Sequence, residues 1–177
     1  MADPQDAVVM PDTPPYSEPA VLTWFGAAAA AAQAFETSLA TFTIVMRLSE
    51  VSGLVPYDLA GNPFQSVEKK TLGQVLSQAR RLVSFHESLD ESLQEAVNTR
   101  NHLFHHFFAA NGSKMESETG RAVLVEELQK AMETFSNLGN ALLALCEPTI
   151  RILNMSHSEI DAELERWRHE PLDPWIA

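Results

Sequence analysis

The segment NTRNHLFHHFF, residues 98–108, gathers groups able to do chemistry more densely than any other part of the chain. His102, His105 and His106 fall within five residues, beside Arg100, Asn101 and three phenylalanines. Three chemistries suit such a set. Histidine titrates near neutral pH and can accept or donate a proton. Arginine offers a planar fork of donors to an anion. His102 and His106, spaced i and i+4, could hold a metal from one helix face. The last is the weakest, because no Glu follows His102 and no other His/Cys/Asp cluster has ligand spacing. His86 and His157 could join only through the fold.

A helix must position these groups. At 100° per residue, Leu89, Leu93, Ala96, Arg100, Leu103 and Phe107 fall on one stripe, with Arg100 in its middle. A guanidinium cannot shed its charge on burial, so it needs a carboxylate, carbonyl or phosphate partner. Two readings stay open: a structural Arg paired with an acid of another helix, or an anion-binding Arg at a cleft or interface. His105 lies about 140° round the helix from Arg100. Asn101, four residues before His105, shares its face. Joint chemistry of Arg100 and His105 therefore needs a helix irregularity, a reaching side chain, or a second copy of the helix across a two-fold interface.

The rest of the chain reads as helices and loops. Residues 1–21, with five prolines and four acids up to position 20, are expected to form a flexible arm. A first helix is predicted from about Val21 to Val51, followed by a loop punctuated by Gly53, Pro56, Gly61 and Pro63. A second helix starts at Ser66 or Thr71 and ends near Glu87. A third runs from Ser88 to Ala110, and NGSKMESETG reads as a turn-rich break. A fourth covers Thr119 to Met155, with a kink at Pro148. Ser156 followed by Glu159 is a capping-box pattern that opens a short last helix. Residues 171–177 form a tail. No strand alternation or internal repeat occurs. The expected fold is an all-α up-and-down bundle of four main helices plus an accessory one, spanning residues 22–170, with no β-sheet.

Composition narrows the function. The net charge of −12 argues against a general nucleic-acid binder, whose affinity rests on neutralising phosphates. The charge is uneven, however. Residues 69–114 carry six Lys/Arg against four acids, a net +2, and four of the six histidines. The remainder carries six against twenty, so a relatively basic island sits on an acidic protein. The single cysteine, Cys146, excludes an internal disulfide and reads as a small core residue. Neither a secretory signal nor a membrane span is read, and the cytoplasm is the expected location. GxSxG, Gly-rich phosphate-loop and CxxC motifs do not occur.

RNHLFH, Arg100–His105, resembles the Arg-x4-6-His signature of the HEPN superfamily in its common Arg-Asn-x3-His form. TLGQVL, Thr71–Leu76, is similar to the Thr-Leu-Gly helix start of several such proteins. AQAFETSL, Ala32–Leu39, resembles the Ala-Gln-x-x-Glu-x-x-Leu opening of the same group. The resemblance spans about residues 22–150. It implies a helical bundle, a homodimer and, in the active members, metal-independent endoribonuclease activity in toxin, defence or stress roles. Arg100, Asn101 and His105 occupy the motif positions and are the expected catalytic residues. Lys69, Lys70, Arg80 and Arg81 of the basic island are expected to meet RNA. No cofactor is expected. A protein inhibitor or activator is a further expected class of partner. The Tyr that some toxin-type members carry two residues after the motif His is Phe107 here, so that control point is lacking. Two rivals remain: a non-catalytic helical dimerisation module, and a zinc-dependent bundle hydrolase using His102 and His106.

Overall fold

The computed structural model describes residues 16–49 and 71–154, together with Ser156, Ser158 and Glu159. Five helices and no strand occur among them: α1 (Glu18–Ser49), α2 (Leu72–Leu82), α3 (Glu87–His105), α4 (Phe107–Met115) and α5 (Glu118–Leu153). The all-α bundle expected from the apolar patterning is the observed fold.

The long helices α1 and α5 make the most extensive pairing. Buried Ala28, Ala32, Phe35, Leu39 and Phe42 follow the 4, 3, 4, 3 spacing of one helix face. On α5 the matching stripe includes Leu124, Leu128, Phe135, Leu142, Cys146 and Ile150. Phe35 and Phe135 meet with ring centroids 5.9 Å apart. Gly139 lets the two backbones approach: a Cβ there would lie 3.2 Å from Ser38 Oγ and 3.7 Å from Phe35 Cα.

Contacts along the helices fix their directions. At the start of α1, Tyr16 O accepts from Arg121 Nε (2.6 Å) near the start of α5. Phe35 meets Phe135 midway, and Phe42 and Leu145 line one cavity further on. So α1 and α5 run in the same sense. α3 and α4 run opposite to α1, because Phe85 meets Phe42 (5.5 Å), Arg100 meets Glu36, and Phe107 meets Phe25 (5.4 Å). α2 is antiparallel to α3, through Arg80–Asp90 at one end and Gly73 beside Val97 at the other. Alternation thus holds through α2, α3–α4 and α5, while α1 and α2 point the same way.

Several boundaries differ from expectation. α1 starts at Glu18 rather than Val21, and Val21 is fully buried. Ser17 caps it, its Oγ accepting from Ala20 N (3.3 Å), and Pro19 falls in the first turn, where a missing N–H costs nothing. α2 ends at Leu82, four to five residues early, where Val83 turns extended (φ −140°, ψ 136°). The expected start at Thr71 holds: Thr71 Oγ1 accepts from Gln74 N (3.4 Å) and Gln74 Oε1 accepts from Thr71 N (2.8 Å), a reciprocal cap. This gives the TLGQ sequence a local structural reason.

The predicted third helix is divided at His106, and Asn111–Met115, read as a break, is helical. Buried Asn111 donates from Nδ2 to Phe107 O (2.9 Å), so packing draws a turn-forming residue into α4. α5 continues through Pro148 to Leu153; Pro148 and Ala144, whose carbonyl it leaves without a helical donor, are both exposed, where water can bond that carbonyl. Asn154, left-handed at φ 53°, ends it. The Ser156–Glu159 capping box forms, with Ser156 N donating to Glu159 Oε2 (2.7 Å) and Glu159 N to Ser156 Oγ (3.2 Å). The rest of the segment predicted as the last helix, the predicted loop between the first two helices, residues 1–15 of the arm and the tail lie outside the described residues.

Candidate functional site

Arg100 projects from α3 toward α1 and is partly buried. Its Nε donates to Glu36 Oε1, its Nη1 donates to Asn101 Oδ1 (3.3 Å), and its Cζ lies 4.7 Å from the centre of the Phe104 ring. The side chains of Arg100 and Glu36 are 24% and 30% exposed, so the pair is partly screened and contributes on the order of 1 kcal/mol. Burial of the α3 stripe through Leu93, Ala96 and Leu103 sets the helix on the bundle and delivers Arg100 to Glu36.

Two of the sequence motifs therefore meet in space. Glu36 is the acid of AQAFETSL, and Arg100 opens RNHLFH. Glu36 received no role in the sequence reading. A signal for it existed: between Leu22 and Ser49 it is the sole acidic residue, so an Arg meeting the middle of that helix had one acid within reach.

His105 is the last residue of α3 and is exposed, as are Asn101, His102 and His106. The backbone leaves helical values at His106 (φ −132°, ψ −12°). The ladder is bridged there, since His106 N donates to His102 O (2.8 Å) and Ala110 N donates to His106 O (2.8 Å). The break falls directly after the motif histidine. It lies beyond both Arg100 and His105, so it does not bring the two onto one face, and His105 makes no hydrogen bond to Arg100 or Asn101. Its nearest ring neighbour is His106, at 6.2 Å between centroids. His102 and His106 are also 6.2 Å apart. Among the described residues no group of three or more His, Cys, Asp or Glu side chains is arranged to hold a metal ion.

Phe104, one residue before His105 on α3, and Phe108, three residues after it on α4, are both exposed. Phe108 leans on Phe25 (4.8 Å) and meets Phe107 edge-on (5.1 Å), while Phe107 itself is buried. The apolar stripe expected from the sequence includes Phe107 and omits Phe104 and Phe108, and Phe107 is the ring that is buried.

The expected RNA-contacting cations are placed apart from this surface or not described. Arg80 grips Asp90 with Nε (2.6 Å) and Nη2 (3.1 Å), and its Nη1 donates to Gln94 (3.0 Å). Arg81 is exposed and has no ion pair among the described residues. Lys69 and Lys70 lie outside them. Lys114 pairs with Glu127 at 3.0 Å. A cavity of about 390 Å³, lined by Phe42, Met46, Phe85, His86, Leu89 and Leu145 among others, contains no motif residue. Cys146 is buried, and burial with the neighbouring Glu147 pushes its thiol up to about 12, which suits a core residue and not a nucleophile. No helix among the described residues is long and apolar enough to cross a membrane.

No family model, curated protein or solved structure matches this chain.

Proposed function

We propose that the chain is a metal-independent endoribonuclease of the HEPN type, acting as a homodimer whose two motif segments share one cleft. The observation that carries the reading is that Arg100, braced by Glu36 and joined to Asn101, and the exposed imidazole of His105 stand on the last turns of the same helix, where a second copy can bring the two faces together. RNA brings its own nucleophile. One His105 takes the 2′-OH proton as that oxygen attacks phosphorus. Arg100 holds the non-bridging oxygens as charge grows on them. The His105 of the second copy protonates the departing 5′-oxygen. The products are a 2′,3′-cyclic phosphate and a 5′-OH. Glu36 acts as a positioning residue: it takes the Nε edge of the guanidinium and leaves Nη2 toward a phosphate. Asn101 orients the same guanidinium through Nη1.

The test is cleavage of single-stranded RNA in EDTA. His105→Ala should lower the rate by roughly 10²–10⁴-fold. Arg100→Lys keeps the charge and loses the fork, so a large loss there marks geometric recognition of phosphate. Cleavage retained by His105→Ala and abolished by EDTA overturns the reading.

One observation favours a second reading, a non-catalytic dimerising module: the Arg100 charge is already met by Glu36 within one chain. Under that reading Arg100→Lys and Glu36→Gln lower stability, the protein cuts no RNA, and sedimentation still shows a dimer. Monomer alone at micromolar concentration removes both readings.

A further inference from the structure

We propose that Phe104 and Phe108 form a stacking shelf for unpaired nucleobases beside His105, so that the site takes single-stranded and rejects duplex RNA. The proposal rests on the ribonuclease reading above and names how its substrate is held. Of the eight described phenylalanines, Phe35, Phe42, Phe107 and Phe135 are buried and Phe25 and Phe85 are half-buried. Only Phe104 (37% exposed) and Phe108 (44%) turn outward, and they flank the motif histidine. Asn101, Phe104 and His105 share a helix face by their spacing. Phe108 follows just past the break.

Both rings are braced from within the protein. The Arg100 guanidinium covers one face of Phe104, and Phe25 and Phe107 hold Phe108. Such rings are ordered before any base arrives, which lowers the entropy cost of binding.

Charge says what the shelf suits. Residues 96–115 contain no Asp or Glu, in a chain that has 24 of them. Yet the two fixed cations of that run are engaged, Arg100 with Glu36 and Lys114 with Glu127. Neutralising many phosphates is thus not how this surface gains affinity. Stacking on a ring is open to every base and is worth about 1–3 kcal/mol per base. The exposed Asn101, His102, His105 and His106 alternate with the rings and offer donors and acceptors to base edges. Duplex RNA keeps its bases stacked on one another and cannot reach the rings.

Binding is measured with full-length His105→Ala protein and a single-stranded oligoribonucleotide carrying 2-aminopurine, whose fluorescence falls on stacking. Quenched fluorescence and binding are expected, with a duplex of the same sequence bound at least 10-fold more weakly. Adding Phe104→Leu or Phe108→Leu, each of which keeps an apolar side chain and removes the ring, should weaken binding by roughly 5-fold to 100-fold and abolish the quench. The slope of log affinity against log salt should be shallow, about −0.7 to −1.4, as only about one or two phosphates are neutralised. Equal binding by the Leu variants overturns the shelf, as does absence of binding to any single-stranded probe. Loss of self-association in those variants also overturns it and assigns the rings to a protein contact. Quenched binding by a protein that cuts nothing supports the shelf and removes the ribonuclease reading. Cleavage unaffected by the Leu variants does the reverse.

Discussion

Phe35 and Phe135 are fully enclosed between α1 and α5, whereas Phe104 and Phe108 stand in solvent on α3 and α4. The two pairs share a residue type and nothing else. Around the first pair the backbones draw together at Gly139, and the neighbours are Leu, Ala and Val. Around the second the neighbours are an ion-paired Arg, an Asn and three histidines. Burying a ring removes its apolar area from water and stabilises the fold; leaving one exposed forgoes that gain. The first region therefore carries the bundle. The second has polar groups able to act on something outside the chain.

The sharpest way to break this contrast is to truncate one ring from each region. Phe135→Ala removes a fully buried ring between the two longest helices and should cost about 3–5 kcal/mol, a large share of the roughly 5–15 kcal/mol that holds a domain folded. Phe108→Ala should cost far less, roughly 1 kcal/mol, from its contacts with Phe25 and Phe107. Urea titrations followed by circular dichroism measure both. Equal losses would mean that the exposed surface is a structural part of the bundle, and the functional contrast would fail.

Next in size is Gly120, at the tight turn from α4 into α5. A Cβ there would lie 2.2 Å from the carbonyl oxygen and 2.7 Å from the Cα of Lys114, and backbone atoms cannot swing aside. Gly120→Ala should cost about 3 kcal/mol. Gly112, with open space around its Cβ position, should accept Ala with little change. If both variants melt alike, the α4–α5 turn is looser than its contacts indicate.

The packed region was readable in advance and the active-looking one only in part. The apolar stripes of α1 and α5 repeat at the helical period, so their existence and inward faces follow from sequence. Their shared direction does not, because periodicity is blind to chain sense and the segment joining α1 to α2 is long enough to allow either. The break at His106 was hidden because NHLFHHFFAA continues a helical pattern without Gly or Pro; tertiary burial of Phe107 and Asn111 sets it. Arg100 and His105 were legible as chemically capable residues. That Glu36 would meet Arg100 was half legible: the need for an acid was clear, and the helix that would supply it was not.

Cys146 offers a chemical version of the comparison. It lies on the buried stripe of α5, and its thiol is pushed up to about 12 by burial and by Glu147. In the unfolded chain a thiol titrates near 8.5. At pH 8.5, native protein should therefore react with a thiol reagent at least roughly 100-fold more slowly than protein in guanidinium, because both thiolate fraction and access are lost. Fast labelling of the native state would show that α5 opens near Cys146 and that the packed region is less closed than Phe135 suggests.

The smallest effect concerns His86, which caps α3 and so sets the start of the helix that ends at His105. Its Nδ1 accepts from Ser88 N at 3.4 Å, a long bond, and from or to Ser88 Oγ at 2.9 Å. An imidazole is a poor cap beside Asn, whose short side chain reaches the same donor with better geometry. His86→Asn should raise stability by about 0.5 kcal/mol. The side chains of Phe85 and Leu89, which line the cavity wall with His86, work in the other direction, since a smaller residue leaves them less covered. A rise in the urea midpoint at constant slope assigns His86 to capping. A fall assigns it to packing, and α3 would then be anchored at its start by the same apolar contacts that hold α1 to α5, leaving its far end, with Arg100 and His105, as the part of α3 free to serve a ligand.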